Sequence, residues 1–170
     1  SDSDASIDVG ALGKGYAIER AAEFLRDEGK EGYVLNVGGN IRIIGTKPDG
    51  SGWVTGIKNP KDPNTLAENI LISDTSCVTS GSYERFYIVD GKKYHHIIDP
   101  DTLFPSEYFD SVTVITPDSG VADCLSTALF CMSYEEGLEL IGKFEGTEAL
   151  WILPDGERLY SPGMEKLVQE

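Results

Sequence analysis

The chain has 170 residues, of which 14 are Lys or Arg and 29 are Asp or Glu, giving a formal net charge of −15 at pH 7. This length, with 40% hydrophobic residues, predicts one globular domain with a sizeable core and excludes a fibrous or disordered chain. No apolar run approaches the roughly 20 residues of a membrane span, and so acidic a chain disfavours nucleic acid and anionic membrane surfaces as partners.

The first half of the chain predicts one helix followed by strands. Apolar periodicity ending at Gly29 predicts a helix over Leu12–Glu28. Short apolar segments then predict four strands, over residues 33–37, 41–45, 53–58 and 68–73. The small-residue run Thr79–Glu84 favours a turn, although its hydroxyls could also bind a ligand.

The second half predicts two hairpins, a strand and two helices. Asp90-Gly91 is a strong hairpin signal between apolar segments, and Ser133 is a plausible helix N-cap. The predicted segments are strands 86–89, 93–98 and 111–116, helices 121–132 and 134–144, and a closing hairpin formed by 150–153 and 157–160. Together these elements predict an α+β fold, with an antiparallel-rich sheet packed with a few helices.

A glycine-rich segment leads into the first helix. Gly10, Gly13 and Gly15 would let a phosphate approach backbone N–H groups at a positive helix end, and Lys14 could add a positive charge. The segment matches neither a P-loop nor a dinucleotide fingerprint. Two structural alternatives are equally compatible with the pattern: Asp8 caps the helix, and Lys14 is a solvated surface lysine.

Both histidines of the chain are adjacent, at His95 and His96. Neighbours on a strand face opposite sides, so at most one of them faces a cleft. A histidine three residues before Asp99 could serve as a base or a polar anchor. The alternative is a strand end, with Asp99-Pro100 starting a turn.

Asp123, Ser126 and Thr127 lie three and four residues apart, so on a helix their side chains share one face. A carboxylate with one or two hydroxyls suits Mg²⁺, a hard cation that takes oxygen ligands. Hydroxyls that bond back to the preceding helical turn are the structural alternative, and spacing alone favours it. The three cysteines, Cys77, Cys124 and Cys131, lack metal spacing and are expected to be buried free thiols.

Five polar motifs follow one another along the chain: Asp8-Val9-Gly10-Ala11-Leu12-Gly13-Lys14-Gly15-Tyr16-Ala17, Asn36-Val37-Gly38-Gly39, Thr79-Ser80-Gly81-Ser82-Tyr83-Glu84, His96-Ile97-Ile98-Asp99-Pro100, and Ala122-Asp123-Cys124-Leu125-Ser126-Thr127-Ala128. Each motif is modest alone. In this order they resemble the ApbE family of FAD:protein FMN transferases, once called thiamine biosynthesis lipoproteins.

The resemblance implies an α+β domain related to the T-fold and a reaction on FAD. Family members cleave FAD with Mg²⁺ and join FMN through a phosphoester to a Thr hydroxyl of an acceptor flavoprotein, releasing AMP. Some relatives instead hydrolyse FAD to FMN and AMP, so an FAD pyrophosphatase is the alternative. Many relatives are exported and lipid-anchored, which leads us to expect an extracytoplasmic lipoprotein attached to the cell membrane.

The resemblance also implies roles for individual residues. The metal would be held by the Asp123 carboxylate, the Thr127 hydroxyl and the Ala11 carbonyl, with Ser126 a weaker candidate. The residues expected at the FAD site are Asp8 and Lys14, which match nucleotide-contacting positions, Ile98, which would touch the cofactor, and His96, which matches the base for the attacking hydroxyl.

The chain departs from the family in two ways. Members are commonly about twice as long, so residues 1–170 are expected to form a single ApbE-like domain that lacks the family's N-terminal half. It is either a piece of a longer protein or a naturally short chain, and the short chain could be a non-catalytic flavin-binding domain. The family also usually has a glycine near Leu103, beside the flavin.

Overall fold

The computed structural model describes residue 4, residues 6–62 and residues 64–169. In this part of the chain the elements are, in order, α1 (Gly13–Asp27), β1 (Tyr33–Val37), β2 (Asn40–Ile44), β3 (Trp53–Lys58), β4 (Leu66–Ile72), β5 (Ser76–Gly81), β6 (Phe86–Val89), β7 (Lys92–His95), β8 (Ser111–Thr116), α2 (Ser119–Phe130), α3 (Tyr134–Ile141), β9 (Glu148–Ile152), β10 (Arg158–Tyr160) and a 3₁₀ turn over Met164–Lys166.

The central sheet has the strand order β1-β2-β5-β8-β9-β10, and every neighbouring pair is antiparallel. All six residues of β8 are buried, because both faces of the sheet are covered at this strand. Val112 and Val114 pack with the helices, whereas Ile115 packs with the opposite layer, as alternation along a strand requires.

The helices cover one face of this sheet. α2 packs on β5 and β8 and beside α1, which in turn packs on β2. From α2, Leu125, Leu129 and Phe130 join Val112 and Trp151 in one hydrophobic core. α2 is therefore held by the sheet and by α1 together, which fixes the position of its polar residues.

The β3–β4 hairpin covers the other face. Ile57 and Ile70 pack there on Ile43 and Leu150 of the central sheet, and Met164 of the 3₁₀ turn completes this second core. The predicted α+β class, with antiparallel sheets packed with helices, is confirmed.

One strand contradicts the sequence prediction. Residues 79–81, which favour a turn by composition, form the second half of β5, and this strand lies between β2 and β8 in the middle of the sheet. Pairing on both sides overrides the turn preference of Ser and Gly, because small hydroxyl residues fit between strands. Thr79 Oγ1, for example, lies 2.8 Å from Thr113 Oγ1 on β8.

Side-chain caps decide where α2 and α3 begin. α2 begins at Ser119, two residues before the predicted start, because the Asp118 carboxylate accepts a hydrogen bond from the Val121 N–H. Ser133 forms a capping box with Glu136 at the start of α3, which confirms the predicted N-cap. Asp8 is not the cap of α1, since Leu12 occupies that position. No helix in the described residues is long and apolar enough to cross a membrane.

The hairpin signal at Asp90-Gly91 is confirmed. Both residues have positive φ, 50° and 79°, as a tight hairpin turn between β6 and β7 requires. Leu103 also has a positive φ, 61°. The left-handed region costs an L-residue roughly 1–2 kcal/mol, whereas glycine adopts it freely. This position therefore suits the glycine that the family resemblance led us to expect near Leu103.

Candidate functional site

A cleft of about 870 Å³ opens beside the start of α1, the β1–β2 turn, β5 and the segment after β7. The predicted site residues that line it are Asp8, Ala11, Lys14, His96, Ile98, Asp123 and Thr127. They come from three distant stretches of sequence, which the fold brings together at one concave surface.

α1 and α2 touch at Gly15, next to this cleft. A Cβ at Gly15 would lie 2.2 Å from the Ser119 carbonyl oxygen and 2.6 Å from Asp123 Cβ, so a side chain has no room there. At the same contact the Gly15 N–H donates to Asp123 Oδ2 at 2.9 Å. This close approach holds the first turn of α1 against Asp123, and Ala11, which precedes the helix, lines the same cleft.

Asp123 is only 3% exposed, and its two carboxylate oxygens have different partners. Oδ2 accepts the Gly15 N–H, whereas Oδ1 lies 3.6 Å from the Lys14 ammonium, whose side chain is about half exposed. The Oδ1 side of the carboxylate therefore accommodates a positive charge at the cleft. Lys14 is not a plain surface lysine, because it pairs with this buried carboxylate.

Ser126 differs from the other predicted metal ligands. It is fully buried, its hydroxyl donates to the Asp123 carbonyl at 3.0 Å, and it does not line the cleft. The back-bonding alternative raised from the sequence therefore describes Ser126. Thr127, one residue later, lines the cleft.

Ser80 lines the cleft, whereas the sequence analysis favoured a turn for its run and gave Ser80 no role of its own. Its hydroxyl lies 2.9 Å from Ser126 Oγ and 3.2 Å from Thr127 Oγ1, so it links β5 to the hydroxyl pair of α2. Because the run Thr79–Glu84 was expected to form a turn, the position of Ser80 on a central strand was not predicted. Its place in a polar motif indicated a possible ligand contact, but only the tertiary structure shows that its hydroxyl meets α2.

The two histidines face different surroundings, as the sequence predicted. His95 is buried, and its ring accepts the Ile97 N–H at Nδ1 and donates from Nε2 to the Ser106 carbonyl. His96 lines the cleft, and its Nδ1 lies 3.2 Å from the Arg85 carbonyl oxygen. Because a carbonyl oxygen can only accept, Nδ1–H donates to it, and in the neutral ring Nε2 keeps its lone pair.

Desolvation lowers the pKa of His96, and the positive charges of Arg85 and Lys14 lower it further. The imidazole is therefore neutral at pH 7. A neutral ring with a free nitrogen can accept a proton, so His96 has the protonation state that a general base requires.

Asp8 and Ile98 also line the cleft, one before α1 and the other after β7. The Asp8 carboxylate accepts the Gly10 N–H at 2.6 Å and shapes the turn that precedes α1. Ile98 is 48% exposed and presents an apolar surface beside His96. An apolar wall with nearby polar groups is typical of sites for small organic ligands.

The three cysteines are free thiols in different environments. Cys77 is buried, and burial raises the pKa of its thiol to about 12. Cys124 is exposed, which corrects the prediction that it is buried, and Cys131 is intermediate.

The donor set suits a hard cation. No group of three His, Cys, Asp or Glu side chains that could hold a metal occurs in the described residues. A site at the cleft would instead combine the Asp123 carboxylate, the Thr127 hydroxyl and the Ala11 carbonyl. Oxygen ligands from one carboxylate and neutral groups fit Mg²⁺, which keeps waters and takes substrate phosphate as further ligands.

Comparison with known proteins adds an independent finding. The ApbE family model matches residues 1–151. The chain is 36% identical over 168 residues to a protein of Treponema pallidum named FAD:protein FMN transferase, and 36% identical over 157 residues to one of that name from Klebsiella pneumoniae. These alignments cover 93% and 91% of the chain but 46% and 48% of the relatives, so the chain spans about half their length.

Solved structures agree. The crystal structure of the ApbE protein of Thermotoga maritima matches with a TM-score of 0.88 and 37% identity, covering 97% of this chain and 54% of that one. Flavin transferase ApbE from Vibrio cholerae matches with a TM-score of 0.78 and 31% identity, covering 95% of this chain and 52% of that one.

Proposed function

The chain belongs to the ApbE family, and from that premise we propose that it carries the cation-binding and phosphate-transfer portion of an FAD:protein FMN transferase. The reaction cleaves the pyrophosphate of FAD and joins FMN by a phosphoester bond to a Thr hydroxyl of an acceptor protein, with release of AMP. The observation that carries this proposal is the cleft that combines Asp123, Thr127, Lys14 and His96.

The chain's own oxygens would hold Mg²⁺, through the Asp123 carboxylate, the Thr127 hydroxyl and the Ala11 carbonyl. When bound there, the ion would supply Lewis acidity and neutralise negative charge on the phosphate oxygens. A protein of net charge −15 repels a pyrophosphate, so this neutralisation is needed. Lys14, which already lies close to Asp123, would add a second positive charge.

His96 would act as general base. Its Nε2 would take the proton of the acceptor Thr hydroxyl as the hydroxyl oxygen forms a bond to the phosphorus of the FMN half. The bond from that phosphorus to the bridging oxygen then breaks, and AMP leaves with the electron pair. The direction of the His96 pKa shift supports this role, since a neutral imidazole is available at pH 7.

The remaining predicted residues would bind and orient FAD. Ile98 offers an apolar surface for the flavin, while the turn shaped by Asp8 and Gly10 exposes backbone near the phosphates. Such contacts would position the pyrophosphate against His96, and positioning supplies much of the rate enhancement in phosphoryl transfer.

Incubation of the chain with FAD, MgCl₂ and a Thr-containing acceptor domain that a family member flavinylates tests the proposal. We expect AMP release together with flavin fluorescence on the denatured acceptor. Asp123→Asn should reduce turnover on the order of 10²–10³-fold, because it removes one charged ligand from an electrostatic site, while the amide oxygen can still accept the Gly15 N–H. Asp27→Asn, at the exposed end of α1, is the matched control.

The products separate the candidate functions. AMP and bound flavin together support the transferase, whereas AMP without bound flavin, independent of acceptor, indicates an FAD pyrophosphatase. Binding of FAD without AMP indicates a non-catalytic flavin-binding domain. Equal turnover by Asp123→Asn and Asp27→Asn would contradict the metal role of Asp123.

A further inference from the structure

A buried ion pair joins α1 to β2 behind the cleft. Glu19 and Arg42 are only 4% and 3% exposed, and Arg42 Nε donates to both carboxylate oxygens of Glu19, at 3.0 and 3.3 Å. Arg42 Nη1 also donates to the Ile43 carbonyl and lies 3.6 Å from Asp74 Oδ1. Neither Glu19 nor Arg42 lines the cleft, so the proposed chemistry does not use the pair directly.

Glu19 has a third partner, on α2. Its Oε2 accepts the backbone N–H of Ser119 at 2.7 Å. Ser119 is the first residue of α2, and the first N–H groups of a helix have no partner within it and carry partial positive charge. The Glu19 carboxylate, aligned by Arg42, therefore attaches the start of α2 to α1.

This attachment lies one helical turn from the candidate cation site. Gly15 and Glu19 are four residues apart on α1, and Ser119 and Asp123 are four residues apart on α2. The bond from Gly15 N–H to Asp123 and the bond from Ser119 N–H to Glu19 thus join the same two helices at successive turns. Two such contacts fix both the separation and the relative rotation of α1 and α2.

We propose that Glu19, oriented by Arg42, is a positioning residue for the cation site, an inference that rests on the proposed function. By fixing the start of α2 against α1, Glu19 sets the distance between the Asp123 carboxylate on α2 and the Ala11 carbonyl that precedes α1. Mg²⁺ demands near-ideal geometry from its ligands, so a small shift of α2 weakens binding.

Stability alone does not explain the pair. Replacing a buried ion pair with apolar side chains of similar volume is often neutral or stabilising. A fixed register between two elements is the best-attested advantage of such a pair. Here the register is that of α1, which the Ala11 carbonyl precedes, and α2, which carries Asp123 and Thr127.

The experiment compares Mg²⁺ binding by isothermal titration calorimetry in wild type and in the double variant Glu19→Leu/Arg42→Leu, which removes the pair without leaving a buried charge. We expect the double variant to fold and to bind Mg²⁺ about 10- to 100-fold more weakly, as for loss of groups that orient metal ligands. Turnover at low Mg²⁺ should fall and should recover at saturating Mg²⁺.

Met164→Ala is the control for general destabilisation, because Met164 lies in the opposite core, whose members include no residue of α1 or α2. It should lower the melting temperature and leave Mg²⁺ affinity unchanged. If the double variant does not fold, Glu19→Asp replaces it, since it keeps the charge for Arg42 but withdraws the carboxylate from Ser119.

Wild-type Mg²⁺ affinity in the folded double variant, or in Glu19→Asp, would overturn the positioning role and leave the proposed function standing. A wild-type chain that binds no Mg²⁺ would overturn both. A loss of affinity in Met164→Ala equal to that in the double variant would show that affinity follows stability, and would also overturn the positioning role.

Discussion

Asp123 shows at the residue scale what a spacing pattern can and cannot predict. Three residues at helical spacing predicted a shared face, and Asp123 and Thr127 do line one cleft. The partners of the two Asp123 oxygens, Gly15 and Lys14, lie on α1, and the Ser80 hydroxyl that meets Ser126 lies on β5, so both sets of contacts come from distant sequence. Local sequence therefore predicts which residue types meet, and tertiary packing decides which atoms remain available.

For His96 we predict a characteristic pH profile. Its pKa lies below the ordinary value of 6.5, so the neutral, active form predominates above that value. In the transfer assay, kcat/KM should rise with pH through a pKa below 6.5 and level off near pH 7.

His96→Gln should lower kcat on the order of 10²–10⁴-fold, the usual contribution of general acid–base catalysis, and should remove the acidic limb of the profile. The measurement is AMP release from pH 5 to 8. If His96→Gln kept the acidic limb of the pH profile, the ionisation behind that limb would belong to another group.

For His95 we predict an effect on stability instead. Burial lowers its pKa in the folded state, with a smaller contribution from Lys93. The unfolded state therefore takes up a proton near pH 6.5 while the folded state resists it, so stability is fully present above pH 6.5 and declines as the pH falls below that value.

Urea denaturation from pH 7.5 to 5.5 checks this prediction. The free energy of unfolding should fall towards pH 5.5 in the wild type and should fall less steeply in His95→Gln. Equal slopes in the two proteins would show that His95 does not cause the decline. His96 is present in both, so its own titration cancels in the comparison.

At the scale of elements, the crossing of α1 and α2 depends on a missing side chain. Gly15→Ala places a Cβ within 2.6 Å of Asp123 Cβ, so the helices must separate. Overpacking of this kind costs typically 1–3 kcal/mol. Because Asp123 moves with α2, Mg²⁺ affinity should fall as well.

Gly142→Ala is the matched control for Gly15→Ala. Gly142 ends α3 with a right-handed φ of −60°, and a Cβ there would meet its nearest neighbour at 3.4 Å. The control should leave stability within about 1 kcal/mol of wild type. Thermal unfolding and Mg²⁺ titration measure both effects, and a Gly15→Ala protein with unchanged stability and affinity would contradict the close crossing.

Most elements could be predicted because their local signals agree with the tertiary structure. The turn at Asp90-Gly91 and the cap at Ser133 are examples in which one or two residues suffice. β5 could not be predicted in this way, since Ser80 and Gly81 favour turns in isolation. Its strand conformation follows from pairing with β2 and β8, which no local window contains.

At the scale of the whole molecule, the net charge of −15 means that any added cation can stabilise the fold by screening repulsion between carboxylates. A test for a specific Mg²⁺ site must therefore distinguish binding at that site from screening. A ligand that binds only the folded state stabilises it by about 2.7 kcal/mol at 100 times its Kd. For a chain of this size that corresponds to roughly 5–10 °C in melting temperature.

We therefore predict that saturating MgCl₂ raises the melting temperature of the wild type well beyond NaCl of equal ionic strength. In Asp123→Asn the two salts should have nearly equal effects. A Mg²⁺-specific shift of the same size in Asp123→Asn would exclude Asp123 as a ligand. Differential scanning fluorimetry provides the measurement.

Among the described residues, β6 and β7 pair only with each other, and Phe86, Tyr87, Ile88 and Val89 are all exposed along this ribbon. A lone two-stranded hairpin is marginally stable in water, whereas β8 is enclosed on every side. The ribbon's backbone amides should consequently exchange with deuterium long before those of β8. Since Arg85 and His96 flank the ribbon, one wall of the cleft depends on a hairpin that lies outside the central sheet.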